Sequence, residues 1–201
     1  EEKNTLGIIL NYDSDKELMS KRTFPLRYNE CNSSPLATVD NPSVGFIGAG
    51  NYASRILIPA FKRAGVRLHT IASNGGTNAS IHGRKNGFEY ATSNTDELLA
   101  HPDINTIVIA TRHNTHAKLA IKALEAGKHV FVEKPLALSI QEVNEVQNAF
   151  EKAKSLQLMV GFNRRFAPMV QKMKQLIDTV TEPKNFIMTI NAGSLPLDHW
   201  H

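Results

Sequence analysis

The sequence has little of what marks secreted, membrane and metal-binding proteins. Its 201 residues include a single cysteine, Cys31, so an internal disulfide is excluded and a reducing compartment, by default the cytoplasm, is expected. No apolar run approaches the roughly 20 residues of a membrane-spanning helix, so we expect no membrane partner. Cys31 has no His or Cys cluster beside it, and we predict no metal site.

Basic charge is present but is not concentrated anywhere. Lys and Arg number 23 against 19 Asp and Glu, and they occur without a run of five or more. Because nucleic-acid-binding surfaces cluster their basic residues, we expect no nucleic-acid partner. The start at Glu1 has neither an initiator Met nor the features of a signal peptide, and we interpret the chain as a fragment of a longer protein.

What the sequence does contain is an alternation of short apolar runs and amphipathic helical segments. The runs lack polar alternation and predict strands buried on both faces; they are 44–47, 68–72, 106–110, 129–132 and 158–162. Strands joined by single helices require right-handed crossovers and a parallel sheet covered on both sides. The predicted fold is therefore a doubly wound α/β domain of the Rossmann type.

Several helices carry specific expectations. Capping-box spacing, Asn94 with Glu97 and Ser139 with Glu142, predicts two helix starts. Pro59 interrupts the first helix and predicts a kink or an early loss of regularity. That helix has apolar residues at helical spacing, namely Ala53, Ile56, Leu57, Ala60, Phe61 and Ala64. In the helix that begins at Ser139, the residues expected to face inward are Ile140, Val143, Val146 and Phe150.

Three domains are predicted. Residues 44–162 form the dinucleotide-binding domain, and residues 1–43 are interpreted as the tail and linker of a preceding domain, with one candidate strand at 6–10. Residues 163–201 begin a second, α+β domain with a helix around 169–180 and a strand over 185–191. We expect that domain to be truncated here.

The turn Gly48-Ala49-Gly50-Asn51-Tyr52-Ala53 follows the first strand and opens the first helix. Gly48 permits the tight turn, Gly50 lets the backbone approach a pyrophosphate, and Ala53 allows close packing of helix on strand. The helix N-terminus adds N–H donors for an anion. We predict dinucleotide binding by Gly48, Gly50, Asn51, Tyr52 and Ala53; the alternative is a turn with a structural role alone.

The end of the second strand, at Ser73 and Asn74, is expected to meet the adenosine ribose. A carboxylate there favours NAD, yet no Asp or Glu occurs between Asp40 and Glu89. The basic residues of this stretch are Arg55, Lys62, Arg63, Arg67, Arg84 and Lys85. The sequence thus favours NADP, with NAD as the alternative, and a merely solvated surface is the alternative for each basic residue.

Polar residues also follow the strands at 106–110 and 129–132, in the segments 110–116 and 133–135. Ligands of open α/β sheets bind outside the carboxyl ends of the strands. We therefore predict that both loops face the ligands.

Together these motifs resemble the Gfo/Idh/MocA family of Rossmann-type dehydrogenases, named for glucose-fructose oxidoreductase, inositol dehydrogenase and rhizopine catabolism. The resemblance extends from about Val44 to His201. Besides the glycine turn it rests on Thr111 with Asn114 and His116, on Glu133-Lys134-Pro135, and on Gly161-Phe162-Asn163-Arg164-Arg165-Phe166. Residues 1–43 resemble the end of a zinc-dependent-type alcohol dehydrogenase domain, as in two-domain fusions.

The family resemblance implies residue roles. Residues implied to line the cofactor are Ala110, Thr111, Asn114, His116 and Arg164. Glu133 and Lys134 are implied to lie near the nicotinamide, and Lys134 to contact the substrate as the candidate catalytic residue. A cis bond before Pro135 is also implied.

The implied activity is hydride transfer between NAD(P) and a secondary alcohol of a sugar, nucleotide sugar or polyol. Such a site needs a proton acceptor and a cation near the developing alkoxide, and Lys134 can supply the cation. The family's main acid/base is a His in a Gly-rich motif of the second domain, which would lie beyond His201, so the isolated chain is expected to be inactive. The alternative is a dinucleotide-binding module without turnover. The resemblance also allows a homo-oligomer formed through the second domain.

Overall fold

The computed structural model describes residues 22–26, 42–191 and 193–194. The chain divides into two compact units between Phe162 and Asn163. The candidate strand at 6–10 lies outside the described residues. Among the residues that are described, no helix is long and apolar enough to cross a bilayer.

The first unit is built on a seven-stranded sheet. Its strands are β1 (Thr23–Pro25), β2 (Ser43–Ile47), β3 (Arg67–Ala72), β4 (Tyr90–Thr92), β5 (Thr106–Ile109), β6 (His129–Val132) and β7 (Leu158–Val160). The spatial order is β1-β4-β3-β2-β5-β6-β7, with β1 antiparallel to β4 and all other pairs parallel. The chain leaves β2 in one direction and returns to its other side at β5, which is the doubly wound order. The predicted fold class is confirmed.

Helices connect the strands. They are α1 (Ile58–Arg63, continuing a π-helical turn Ala53–Leu57), α2 (Thr77–Asn86), α3 (Thr95–Ala100), α4 (His116–Glu125, after a 3-10 turn His113–Thr115) and α5 (Ile140–Lys152). Both predicted helix starts have their side-chain N-cap, although neither Glu97 nor Glu142 accepts the N-cap backbone N–H that a full capping box requires. The Asn94 side chain accepts the Asp96 and Glu97 N–H groups, and Ser139 Oγ accepts the Glu142 N–H at 3.2 Å.

Both faces of the sheet are buried. Neighbouring residues along a strand belong to different apolar clusters: Phe46 packs with Val108, Leu57 and Ile58, whereas Ile47 packs with residues of the other cluster. Two edge-to-face contacts join Phe46 to Phe61 and to Phe88, with ring centroids 5.3 and 5.6 Å apart. Burial on both faces explains why the strands show no polar alternation in the sequence.

The first helix loses α-helical regularity just before Pro59, as predicted, because the Ile58 N–H donates to the Ala53 carbonyl. This i to i−5 bond adds a residue to the turn and rotates the next turn of the helix about its axis. Ile56 is consequently 53% exposed, while Ile58 is fully buried. The helical spacing thus predicted the burial of Ala53 and Leu57 correctly and that of Ile56 wrongly.

The inward face predicted for α5 is largely wrong. Only Val146 is buried, at 1% exposure, whereas Ile140 is 77% exposed and Val143 and Phe150 are each more than a third exposed. The helix packs against α4 beside β7, the last strand of the sheet. A helix beside the last strand of a sheet buries only a narrow stripe of its own surface. Here the buried stripe consists of Val146, Ala149 and Ala153.

Part of the predicted linker belongs to the sheet. Residues 23–25 pair with Tyr90–Thr92, and the Leu26 N–H donates to the Glu89 carbonyl at 2.7 Å. The Leu26 side chain fills the space beside Gly83 of α2, where a Cβ would lie 2.4 Å from Leu26 Cδ1. Neither β1 nor β4 was predicted, since strands of three residues leave no readable period.

The second unit contains a 3-10 turn, Asn163–Phe166, and α6, Pro168–Ile177. The predicted strand over 185–191 is wrong, since these residues have no regular structure and Ile187, Met188 and Ile190 are each more than 80% exposed. A strand exists only through a hydrogen-bonded partner, and the described part of this unit offers none.

Candidate functional site

The glycine turn lies where β2 meets its neighbours β3 and β5. Gly48 has φ +109°, and a Cβ built there would lie 2.3 Å from the Ala110 carbonyl oxygen. The Gly48 N–H donates to the Ala72 carbonyl at 2.9 Å, and the Ala110 N–H donates to the Ile47 carbonyl at 2.8 Å. The turn is thereby held against the ends of both neighbouring strands, and only glycine fits at Gly48.

Gly50 differs from Gly48. A Cβ at Gly50 would meet no described atom within 4 Å, so packing inside the protein does not require glycine at this position. The helix starts directly afterwards; in the described turn Ala53–Leu57 it has no side-chain cap and no acidic residue. Open space before an uncapped helix start suits an anion approaching the backbone closely.

The remaining residues of the turn divide by exposure. Asn51 and Tyr52 are exposed, whereas Ala53 is 1% exposed and belongs to the core. The small Ala53 side chain lets the helix pack closely on the sheet, so its contribution to a ligand is limited to the backbone.

Ser73 and Asn74 directly follow β3, as expected from the sequence. Ser73 Oγ accepts the Ala79 N–H at 3.1 Å, which ties the strand end to the first turn of α2. Asn74 is exposed beside it. Neither position bears a carboxylate.

Arg67 does not belong to this pocket. It begins β3, at the opposite edge of the sheet, where its guanidinium pairs with Glu89 at 2.8 Å and lies 3.9 Å from Asp103. Lys62 is also engaged, since its ammonium donates to the Asn86 carbonyl at 2.9 Å. Two of the six basic residues considered near the ribose therefore have other partners.

A chain of hydroxyls orders the loop after β5. The Thr115 hydroxyl donates to the Arg112 carbonyl at 2.8 Å, so the 2.6 Å contact between Thr111 and Thr115 must be donated by Thr111. Asn114 is exposed at the tip of this loop. The loop is thus shaped by its own hydrogen bonds.

His116, which the family resemblance placed against the cofactor, is fully buried instead. Its Nδ1 lies 2.7 Å from the Pro135 carbonyl oxygen and its Nε2 lies 3.2 Å from the Thr111 carbonyl oxygen. Both ring nitrogens therefore face backbone of the two strand-end loops. The sequence predicted the residue but not this environment.

The loop after β6 combines a buried and an exposed charge. Glu133 is 8% exposed, and its Oε1 finds no hydrogen-bond partner among the residues that the structure describes. Burial raises the pKa of the Glu133 carboxyl, against the opposing effects of the Lys134 backbone N–H, the Lys134 charge and His116. Lys134 is exposed, and its bond to Pro135 is cis.

Gly161, at the end of β7, was singled out by the sequence only as part of a motif. A Cβ there would lie 2.7 Å from Glu133 Oε1, so glycine makes room for the buried carboxyl. Arg164, the last predicted cofactor residue, lies in the second unit and is exposed.

A second polar cluster lies at the opposite edge of the sheet. Ligand atoms of His69, His101 and Asp103 lie within 4.8 Å of one another. Burial, and then the neighbouring His101 ring, lowers the pKa of His69 to about 4. Because Arg67 already supplies a cation to the nearby carboxylates, we assign no metal to this cluster.

A glycine turn meeting two polar loops at the strand ends of a doubly wound sheet defines a Rossmann-type nucleotide-binding domain. Comparison with known families agrees: the oxidoreductase family with an NAD-binding Rossmann fold, GFO_IDH_MocA, matches residues 43–162. The chain belongs to this family.

Individual relatives include sugar and polyol dehydrogenases. Levoglucosan dehydrogenase of Pseudarthrobacter phenanthrenivorans is 36% identical over 67% of this chain and 35% of its own length. Myo-inositol 2-dehydrogenase of Thermotoga maritima is 34% identical over 57% of this chain and 35% of its own length. The chain thus spans little more than a third of these relatives.

Solved structures show the same similarity. Scyllo-inositol dehydrogenase from Lactobacillus casei, with bound NAD(H) and scyllo-inositol, has a TM-score of 0.63 at 28% identity, over 69% of this chain and 41% of that one. A 3-ketoreductase from Actinomadura kijaniata, with NADP and TDP-benzene, has a TM-score of 0.64 at 26% identity, over 69% and 42%.

Proposed function

We propose that residues 44–162 are the dinucleotide-binding domain of an NAD(P)-dependent oxidoreductase acting on a secondary alcohol of a sugar, nucleotide sugar or polyol. The observation that carries the proposal is that the glycine turn meets the loop after β5, which His116 connects to the loop after β6, at one edge of the sheet. The family match and the inositol and levoglucosan dehydrogenases among the relatives support it.

The residues present fit a dinucleotide. Gly50 and the helix start after it offer open space and backbone N–H groups for the pyrophosphate. Ser73 and Asn74 would meet the adenosine ribose. The loops with Ala110, Thr111, Asn114 and Glu133 would border the nicotinamide. When bound, the nicotinamide ring accepts or donates the hydride.

Lys134 is the proposed catalytic residue. It is exposed at the tip of the loop after β6, next to the buried Glu133. An ammonium in that position would stabilise the alkoxide that develops as the hydroxyl proton leaves, and would help to hold that proton. In a longer protein that turns over substrate, replacing Lys134 by Ala is expected to abolish turnover while leaving cofactor affinity within about twofold, since the ammonium is not part of the phosphate-binding turn.

The acid-free stretch around Ser73 favours NADP. A carboxylate at this position would repel a 2′-phosphate, and neither Ser73 nor Asn74 bears one. Of the two structural neighbours described, one binds NAD(H) and one binds NADP. Calorimetric titration with NADPH and NADH tests the preference, and tighter binding of NADH would contradict it.

For the isolated chain we propose dinucleotide binding without turnover. The main acid/base of the family is expected in a part of the second domain that follows residue 201, and the chain spans 35% of the dehydrogenases that it resembles. A hydride-transfer assay on a chain extended beyond His201, with a panel of sugars and polyols, tests the enzymatic proposal. Tight cofactor binding with no turnover on any of them would favour a non-catalytic module.

The predicted domain bounds, the cytoplasmic location and assembly through residues 163–201 belong to the same proposal. Gel filtration of the extended chain beside the present one would test whether the second domain makes the oligomer.

A further inference from the structure

We propose that His116 is a positioning residue, which fastens the loop after β5 to the loop after β6 and so sets the place of Lys134 relative to the glycine turn. It does not contact the cofactor. The inference deepens the proposed function and rests on it, because it concerns the nicotinamide end of the same site.

The His116 ring is not accessible to a ligand. The His116 ring is fully buried, and its two nitrogens face the carbonyl oxygens of Pro135 and Thr111 at 2.7 and 3.2 Å. A carbonyl oxygen only accepts, so the ring must be the donor in either contact. No ring nitrogen is left to bind a ligand, which excludes the direct cofactor role.

One hydrogen bond attaches the His116 ring to the loop after β6. The shorter of the two distances assigns a ring N–H to Nδ1, which donates it to the Pro135 carbonyl. The Thr111 carbonyl oxygen, 3.2 Å from Nε2, is then a packing contact of the ring and not a second hydrogen bond. His116 is the first residue of α4, so the Pro135 loop is attached to a helix of the domain.

This hydrogen bond links the loop of Lys134 to the glycine turn. Pro135 directly follows Lys134, so holding its carbonyl fixes the direction of the backbone at the proposed catalytic residue. On the other side, Thr111 follows Ala110, whose carbonyl lies against Gly48. One chain of contacts therefore runs from the phosphate-binding turn through Ala110, Thr111 and His116 to Pro135.

The test separates the two ends of the cofactor. His116→Leu introduces an apolar side chain of similar reach and removes the ring N–H. Binding is measured on the 201-residue chain with NADPH or NADH, whichever the wild type binds more tightly, and with the matching ADP-ribose or its 2′-phosphate, which lack the nicotinamide. We expect affinity for the complete cofactor to fall about tenfold, because the loops that border the nicotinamide would shift, and affinity for the ADP-ribose form to change less than twofold.

The matched control is His69→Leu, which removes the other histidine that is fully buried among the described residues, at the opposite edge of the sheet. It is expected to lower stability without changing the ratio of the two affinities. His116→Asn places an amide N–H where Nδ1 lies and should restore at least part of the ratio. Equal loss for both ligands, or no loss for either, would overturn the positioning role, whereas a wild type that binds neither would overturn the proposed function instead.

A measurement on the wild type needs no variant to fold. The His116 Nδ1 proton should appear in NMR spectra as a ring N–H protected from exchange with solvent, because it is buried and bonded to Pro135. A ring with Nδ1 unprotonated at neutral pH would contradict the proposal.

Discussion

Gly48 and Ala110 approach so closely that a Cβ on Gly48 would lie 2.3 Å from the Ala110 carbonyl oxygen. Gly48 also adopts φ +109°, which side chains rarely tolerate. We predict that Gly48→Ala lowers the free energy of unfolding by about 3 kcal/mol, from backbone strain and overpacking together. Urea denaturation measures it.

Gly50→Ala is the control for that variant. The space around Gly50 is open, so its free energy of unfolding should stay within about 0.5 kcal/mol of the wild type. The added methyl group should instead block the approach of the cofactor and weaken its binding at least tenfold by calorimetry. Normal cofactor affinity in Gly50→Ala would argue against the proposed pyrophosphate site.

Leu26→Ala should destabilise the first unit although it lies in a region that the sequence assigned to a linker. The leucine fills the space beside Gly83, and its truncation should cost about 2 kcal/mol in the free energy of unfolding. Arg22→Ala, at an exposed side chain of the same segment, should change it by less than about 0.5 kcal/mol. Equal stabilities of the two variants would mean that this segment does not pack as described.

His69 makes stability depend on pH. Its pKa is lowered from 6.5 to about 4 in the folded protein, so the unfolded chain binds the proton more readily. The neutral ring contributes to the free energy of unfolding, and this contribution is fully present above pH 6.5. It is on the order of 3 kcal/mol and is lost as pH falls toward 4. In His69→Phe this part of the pH dependence should disappear from denaturation midpoints measured between pH 7.5 and 4. An unchanged pH profile would show that another group is responsible.

Glu133 makes stability depend on pH in the opposite direction. Burial raises the pKa of its carboxyl, so the ionised form costs stability once pH rises from the ordinary value of 4.5 through the folded value. Glu133→Gln removes that cost and should raise the melting temperature at pH 7, with a smaller gain below pH 4.5. Glu97→Gln, on an exposed carboxylate that caps α3, is not expected to stabilise. A lower melting temperature for Glu133→Gln at pH 7 would contradict the prediction.

Local signals predicted much of the fold correctly. The side-chain N-caps at Asn94 and Ser139 and the irregularity before Pro59 all involve groups within five residues of one another, so the sequence contains both partners. Strands buried on both faces were found from their apolar runs for the same reason.

Signals that depend on distant partners failed. The exposed face of α5, the pairing of 23–25 with 90–92 and the missing strand at 185–191 each depend on what lies beside an element rather than on its own residues. At the candidate site the sequence predicted His116 as a residue of interest, but not that its ring bonds the backbone of a loop 19 residues away.

By itself the sequence determined five of the seven strands with the helices between them, the doubly wound fold and the position of the glycine turn, because apolar periodicity and glycine conformation are local properties. Tertiary structure alone decided that Gly48 is required by Ala110 while Gly50 faces open space, that Arg67 lies at the wrong edge for a ribose, and that His116 is buried between two loops. The physical reason is that burial and hydrogen-bond partners arise only when segments far apart in the chain are packed together.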